Sequence, residues 1–391
     1  MLDIYQASMI IFFVILAIWA YFDRKNIEFK YIILLRKTKK GLKILDKIAS
    51  FKKFWKVVGA IAIVSCFLMM VDGLRVIVIA SFMIISGQIK ESLGGLVLPV
   101  PSATPVFGPG FIGLPFLFWI IILPTILFPH EIAHGIMCRL EKIKIKSMGI
   151  ILLLVLPGAF VEPDEDEIKK SRLITKLRIF SAGSFANLLV ACLIFTPFFG
   201  VGLLPNIIWP SISTGYLRIV EVNSSAPAGI MGLEAGMVIT EINGKKLEIS
   251  YHDFLTAEYL TKYFKEVKVG DIINITTKEK LFQVPVGEIK ENDITRPYIG
   301  ITARIDSKLD ETSFYFVSNL FTWMWILNYA VAVFNILPVY PLDGGLILKS
   351  LTEKISKKYS DPIVISITTI VSLLVLFTII GPYIMRVLQF F

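Results

Sequence analysis

The sequence predicts a polytopic α-helical membrane protein of about six spans, with one mixed α/β domain inserted between two spans and held outside the bilayer. Three observations predict it. Of 391 residues, 55% are hydrophobic and only 18% charged, and the mean hydropathy is +0.71; a soluble domain carries about 25% charged residues. Apolar runs close to the ~20 residues that cross a bilayer recur along the chain. One stretch, 200–312, breaks that rhythm with polar, turn-punctuated, β-rich sequence. The three cysteines, Cys66, Cys138 and Cys192, lie inside apolar runs and read as buried thiols, which excludes a disulfide-rich secreted scaffold.

The apolar runs fall at 5–22, 57–86, 111–138, 174–199, 314–337 and 361–384. The first has Asp3 as the only charge before residue 23 and no small-residue cleavage site, so it reads as a retained anchor rather than a signal peptide. The second is interrupted by Asp72, Gly73 and Arg75 and is either one long tilted helix or a broken one. Between these two runs, Asp23–Lys56 holds Arg24, Lys25, Lys30, Arg36, Lys37, Lys39, Lys40, Lys43, Lys47, Lys52, Lys53 and Lys56 against only Asp23, Glu28 and Asp46. That is the positive-inside signature and places the loop in the cytoplasm. Alternating the later spans puts both termini outside, Arg139, Lys142, Lys144 and Lys146 inside, and Lys349, Lys354, Lys357 and Lys358 inside. Topology thus accounts for the net charge of +9 without a nucleic-acid partner.

Two further apolar stretches do not read as spans. Residues 94–110 are too rich in Pro and Gly for a helix, and 145–161 is short and closes on Pro157-Gly158. Each is either an irregular or β-like segment dipping into the membrane region or an ordinary interfacial loop. The stretch 200–312 carries strand signals at 216–222, 237–243, 273–279 and 298–304, a tight turn at Asn243-Gly244 and a helical spacing of Phe254, Ala257, Leu260 and Phe264 across 251–265. The domain plan is therefore 1–90 as N-terminal spans with the basic loop, 91–200 as the first part of a membrane core, 212–305 as the inserted domain, and 312–391 as the rest of the core with a C-terminal span.

Two of the three histidines fall in HEIAH, residues 130–134. On a helix, i and i+4 share a face, so His130 and His134 can reach one metal ion while Glu131 is left to act on the attacking water. The motif lies toward the cytoplasmic end of an apolar run, where each ionisable group costs ~2.5–3.5 kcal/mol on insertion scales. Two histidines and a glutamate in one turn are hard to retain there without a metal. A catalytic zinc takes three protein ligands and keeps one open position. The remaining histidine, His252, lies in the inserted domain, so the third ligand must be a carboxylate. Asp343, in NILPVYPLDGG (335–345), is the best candidate: Pro338 and Pro341 break the helix and Gly344-Gly345 allows a sharp turn.

HEIAH and NILPVYPLDGG together resemble the two signatures of the site-2 protease family, intramembrane zinc metalloproteases that cut within or near a substrate's transmembrane helix. The resemblance implies one Zn2+ per chain held by His130, His134 and Asp343, with Glu131 as general base and acid. A third family element, Gly-x-x-x-Asn, appears as Gly183-Ser184-Phe185-Ala186-Asn187, with Ser184 where the family more often has Pro. Asn187 and Asn335 are the amides assigned to the substrate or oxyanion, against the alternative of helix–helix bridging. The runs 111–138, 174–199 and 314–337 would form the catalytic core.

Residues 224–245, SSAPAGIMGLEAGMVITEINGK, resemble the PDZ signature, and Tyr298-Ile299-Gly300-Ile301 resembles the closing strand of the circularly permuted bacterial type. The inserted domain is thus expected to be PDZ-like and extracytoplasmic, either binding a chain end or filtering substrates by size. The acidic run Asp164–Glu167 reads as a solvated loop or a helix start rather than a site. The implied partners are the bilayer and single-span membrane proteins after a first ectodomain cleavage; the implied place is a cell membrane, multi-pass, with the site toward the cytoplasm. Two alternatives stay open: a catalytically silent membrane adaptor presenting a PDZ domain, and a membrane-anchored zincin acting on soluble peptides.

Overall fold

A computed structural model describes the chain apart from residues 1–3, 31–32, 93, 154–155, 195–208, 251–252, 255–262, 264–266, 292–293 and 389–391. The chain forms two compact units, one of residues 1–191 with 326–391 and one of residues 192–325. Among the described residues, six helices are long and apolar enough to cross a membrane: α1 (Ile4–Phe22), α3 (Lys52–Ile85), α4 (Phe116–Leu140), α6 (Leu173–Ile194), α8 (Glu311–Ile336) and α10 (Lys357–Leu388). With the family relationship established below, they make this a multi-pass membrane protein.

The interruption at Asp72-Gly73-Arg75 does not break α3, which runs unbroken for 34 residues, about 51 Å at the helical rise. Arg75 donates to Asp72 at 2.7 Å within one turn, so the charges neutralise each other. Gly73 lets the backbone close on α8, since a Cβ there would press on Val333 and Leu337.

Both stretches that escaped assignment as spans are β-structure. Within 94–110, β3 (Leu96–Val100) and β4 (Val106–Gly108) flank β5 (Phe111–Pro115), parallel and antiparallel to it respectively. The span expected from residue 111 therefore starts at Phe116, after Pro115. Residues 145–163 form the hairpin β6 (Ile145–Leu153) and β7 (Leu156–Pro163). Pro157 is tolerated inside β7 because β7 is an edge strand with no second ladder to supply.

The basic loop carries more than charge. It holds β1 (Ile27–Lys30), β2 (Ile33–Thr38) and the helix α2 (Leu42–Ala49). β2 pairs with β6, extending the hairpin into an antiparallel sheet of order β1-β2-β6-β7. Leu45 and Ala49 of α2 are buried with Ile136, Met137 and Cys138 of α4 and with Ile168 of the short helix α5 (Glu165–Lys170). The acidic run is a helix start: Asp164 accepts the N–H groups of Asp166 and Glu167 as N-cap. Those bonds, with Lys146 nearby, hold its carboxyl below the usual range. A second cluster joins α3, α6, α8 and α9 (Asp343–Ile355) through Cys66, Met69, Phe185, Ile336 and Ile347.

In the other unit, β8 (Ser213–Val222), β9 (Val238–Ile242), β10 (Lys245–Lys246), β11 (Ile272–Thr277), β12 (Leu281–Pro285) and β15 (Ile301–Ser307) build a sheet of path β12-β11-β9-β8-β15, with β10 on β9, and the single helical turn α7 (Pro227–Ile230) lies between β8 and β9 in the chain. The turn at Asn243-Gly244 has positive φ at both residues, 52° and 72°, as a tight hairpin requires. The strand signal at 298–304 divides: β14 (Ile294–Tyr298) pairs with β13 (Gly287–Glu291), and β15 starts after Gly300. The helix expected over 251–265, and His252 with it, fall largely outside the described residues.

Candidate metal centre

The site is built by two helix ends and one closely approaching helix. Helix α4 carries His130 and His134 one turn apart. Pro129, the residue before His130, has no N–H to give to the carbonyl of Thr125. At that level Asn328 of α8 donates its amide to the Thr125 hydroxyl at 3.1 Å. Below α8, the chain turns through Pro338 and the cis Tyr340-Pro341 bond and re-enters a helix at once, with Leu342 as N-cap and Asp343 as first residue of α9. A side chain at Gly344 would run into the carbonyl of Ile336, and one at Gly345 into the backbone of Val339 and Tyr340. Only glycines let this turn fold tightly enough to carry the Asp343 carboxylate back to α4.

His130 Nε2 and His134 Nε2 lie 3.2 Å apart. Asp343 Oδ2 is 3.4 Å from the first and 3.3 Å from the second. A tetrahedral ion with ligands at about 2.0–2.1 Å holds its ligand atoms about 3.3–3.4 Å apart, so the three edges match one face of such a tetrahedron. Protonation fits as well. His134 Nδ1 lies 2.7 Å from the carbonyl of Ile179, which can only accept. Nδ1 therefore bears the proton and Nε2 presents a lone pair toward the other two atoms. Asp343 Oδ2 is buried and takes no hydrogen bond among the described residues. Three converging lone pairs repel one another unless a cation lies among them, and the donor set fits zinc.

Helix α6 lies against this triangle at Gly183, where a Cβ would collide with both imidazole rings. The pairings of His134 with Ile179 and His130 with Gly183 make α4 and α6 antiparallel. Asn187, one turn beyond Gly183 on the same face, thus sits at the level of the α4 turn preceding His130. It is fully buried, and neither amide atom finds a hydrogen-bond partner among the described residues. Asn335 is half-buried in the last turn of α8. Glu131 Oε2 accepts the backbone N–H of Val161 at 2.9 Å, so β7 holds the carboxylate next to the imidazoles.

The structure thus brings His130, His134 and Asp343 together, with Glu131 beside them. Two elements of the site left no side-chain signal in the sequence: the Val161 N–H and the Ile179 carbonyl, both backbone groups. Gly183 stands in the Gly-x-x-x-Asn element, but the seat it leaves for the rings shows only once α4 and α6 are packed.

The model of peptidase family M50 matches residues 118–379, which include every residue of this site. The chain is 30% identical to an uncharacterised protein of Methanocaldococcus jannaschii, over 90% of this chain and 88% of that one. It is 24% identical to a candidate zinc metalloprotease of Clostridium perfringens, over 62% of this chain and 89% of that one. A membrane-bound transcription factor site-2 protease homologue of Arabidopsis thaliana is 29% identical over 29% of this chain and 22% of its own length. The chain belongs to peptidase family M50, the site-2 protease family of membrane zinc metalloproteases.

Proposed function

We propose that this protein is an intramembrane zinc endopeptidase that cleaves transmembrane segments of single-span membrane proteins, in regulated intramembrane proteolysis after a first ectodomain cleavage. The observation that carries the reading is where the donor triangle stands: its two histidines are on a 25-residue apolar helix, and Asp343 reaches them from the first turn of α9, in the segment that follows a second apolar helix. A metalloprotease of soluble peptides has no need to carry its histidine ligands in a membrane span.

When bound, zinc supplies Lewis acidity that acidifies the attacking water and polarises the scissile carbonyl. Glu131 takes the water's proton and returns it to the leaving amine. The Val161 N–H occupies one of its oxygens and fixes the carboxylate's direction, leaving the other to carry the proton. Asn187 offers unspent hydrogen-bonding capacity to the scissile backbone or its oxyanion, and Asn335 serves the same substrate from α8. A helical peptide bond is shielded, so the substrate must unwind, and its freed N–H and C=O groups need partners. The open edge of β7 offers them beside Glu131, by strand addition. The PDZ-like unit stands outside the cell membrane, as peptide binder or size filter, and the site opens toward the cytoplasm.

The test is reconstitution of the full chain with a single-span model substrate, comparing wild type with Glu131→Ala. Cleavage should vanish while bound zinc stays at the wild-type level. Undiminished cleavage overturns the mechanism; loss of zinc makes Glu131 a structural residue.

A further inference from the structure

The segment that runs from the end of β2 through α2 into the first turns of α3 carries a second surface. Between residues 39 and 56, Lys39, Lys40, Lys43, Lys47, Lys52, Lys53 and Lys56 are all exposed. None of them forms an ion pair among the described residues. The single acid in the stretch, Asp46, is already taken by Arg139 at 3.0 Å. Interleaved with the lysines stand three large, mostly exposed apolar side chains, Ile44 at 63%, Phe51 at 67% and Phe54 at 59% exposure, the last met edge-on by the Trp55 ring.

The two faces of α2 divide the work. Leu45 and Ala49 are buried against α4, and a side chain at Gly135, the residue after His134, would collide with Leu45. Ile44 and the lysines face away. This stretch leads directly into the membrane span α3, and Trp55 ties the two together by donating its indole N–H to the Ile48 carbonyl at 2.7 Å. Positive-inside topology asks only for basic residues near span ends. It does not ask for exposed Ile and Phe among them. Cations alternating with exposed apolar groups at the foot of a span fit a surface that is anionic on top and hydrocarbon below.

We propose that residues 39–56 form a binding platform for anionic phospholipid headgroups, with Ile44, Phe51 and Phe54 inserted at the acyl boundary and the lysines on the phosphates. The platform rests on the helix that carries the metal site. The inference needs only that the protein spans a membrane, so it stands or falls independently of the proposed protease activity.

The full-length protein is placed in phosphatidylcholine vesicles carrying trace spin-labelled phosphatidylglycerol or spin-labelled phosphatidylcholine, and electron spin resonance gives the fraction of each lipid immobilised at the protein. Phosphatidylglycerol should be preferred about fivefold or more, and the preference should fall with added salt. The quadruple variant Lys39→Gln/Lys43→Gln/Lys47→Gln/Lys53→Gln should bring the ratio close to one. Lys170→Gln/Lys354→Gln/Lys357→Gln/Lys358→Gln, an equal loss of exposed charge at the same membrane face, should leave it near wild type. Zinc content at the wild-type level verifies that both variants are folded. No preference in the wild type, an unchanged ratio in the first variant, or an equal drop in both overturns the proposal. So does displacement of labelled phosphatidylglycerol by a soluble polyglutamate peptide, which would assign the surface to an acidic protein segment.

Discussion

At the scale of single residues, the proposed function separates groups expected to hold an ion from groups expected to meet a substrate. Asp343→Ala removes one corner of the triangle and leaves two imidazole lone pairs facing each other. Altering groups that merely orient a ligand costs about 10–100-fold in metal affinity, so loss of the ligand itself should cost more, measured as zinc retained after dialysis against a chelator. Asn187→Ala should behave differently. Zinc stays bound, while kcat/KM falls about 10²–10³-fold, the range for losing an oxyanion donor. An Asn187→Ala enzyme of wild-type kcat/KM would make Asn187 helix glue. HEIAH announced its chemistry in five letters because ionisable groups are too costly in an apolar run to stand there idle. Asn187 was legible only as a motif element; that its two amide atoms find no partner among the described residues appears once α6 is packed.

At the scale of elements, β7 is the strand on which the site leans. Val161 pairs with Met148 and Ala159 with Ile150 in a regular register, so both N–H groups point away from β6, the first to Glu131 and the second to the open edge. Proline in an edge strand costs little when the lost N–H faces outward. Ala159→Pro should leave zinc content and fold intact yet slow cleavage about tenfold, the worth of about one backbone hydrogen bond to a substrate strand. Equal rates for Ala159→Pro and wild type would remove strand addition at this edge. The hairpin β6–β7 was foreseen only as an irregular or β-like segment. Its extension by β1 and β2 was hidden, because residues 27–38 carry lysine and arginine that read as topology, and strand pairing across more than a hundred residues leaves no local trace. Helix α2 was missed for the same reason: its few apolar residues matter only against the groove beside Gly135.

At the scale of the whole molecule, the arrangement of spans makes a prediction about sidedness. With Cys66, Cys138 and Cys192 lying in membrane spans, single cysteines introduced elsewhere report cleanly. Lys40→Cys should resist a membrane-impermeant maleimide in intact cells and react after lysis; Lys245→Cys, at the exposed start of β10, should react without lysis. The reverse pattern would turn the topology over and put the inserted unit in the cytoplasm.

Composition and charge order alone determined that this is a polytopic membrane protein with one large insert. The motif spacings alone determined which side chains are candidates for zinc, because burying charge in an apolar span is so costly that each instance needs a reason. Tertiary structure decided the rest. It closed the distance between His130 and Asp343, aimed Glu131 by a backbone N–H, joined the basic loop to β6, and showed that Asp72-Gly73-Arg75 leaves α3 whole. Each of these depends on contacts between residues far apart in sequence, whose pairing is settled by packing and hydrogen-bond satisfaction rather than by local pattern.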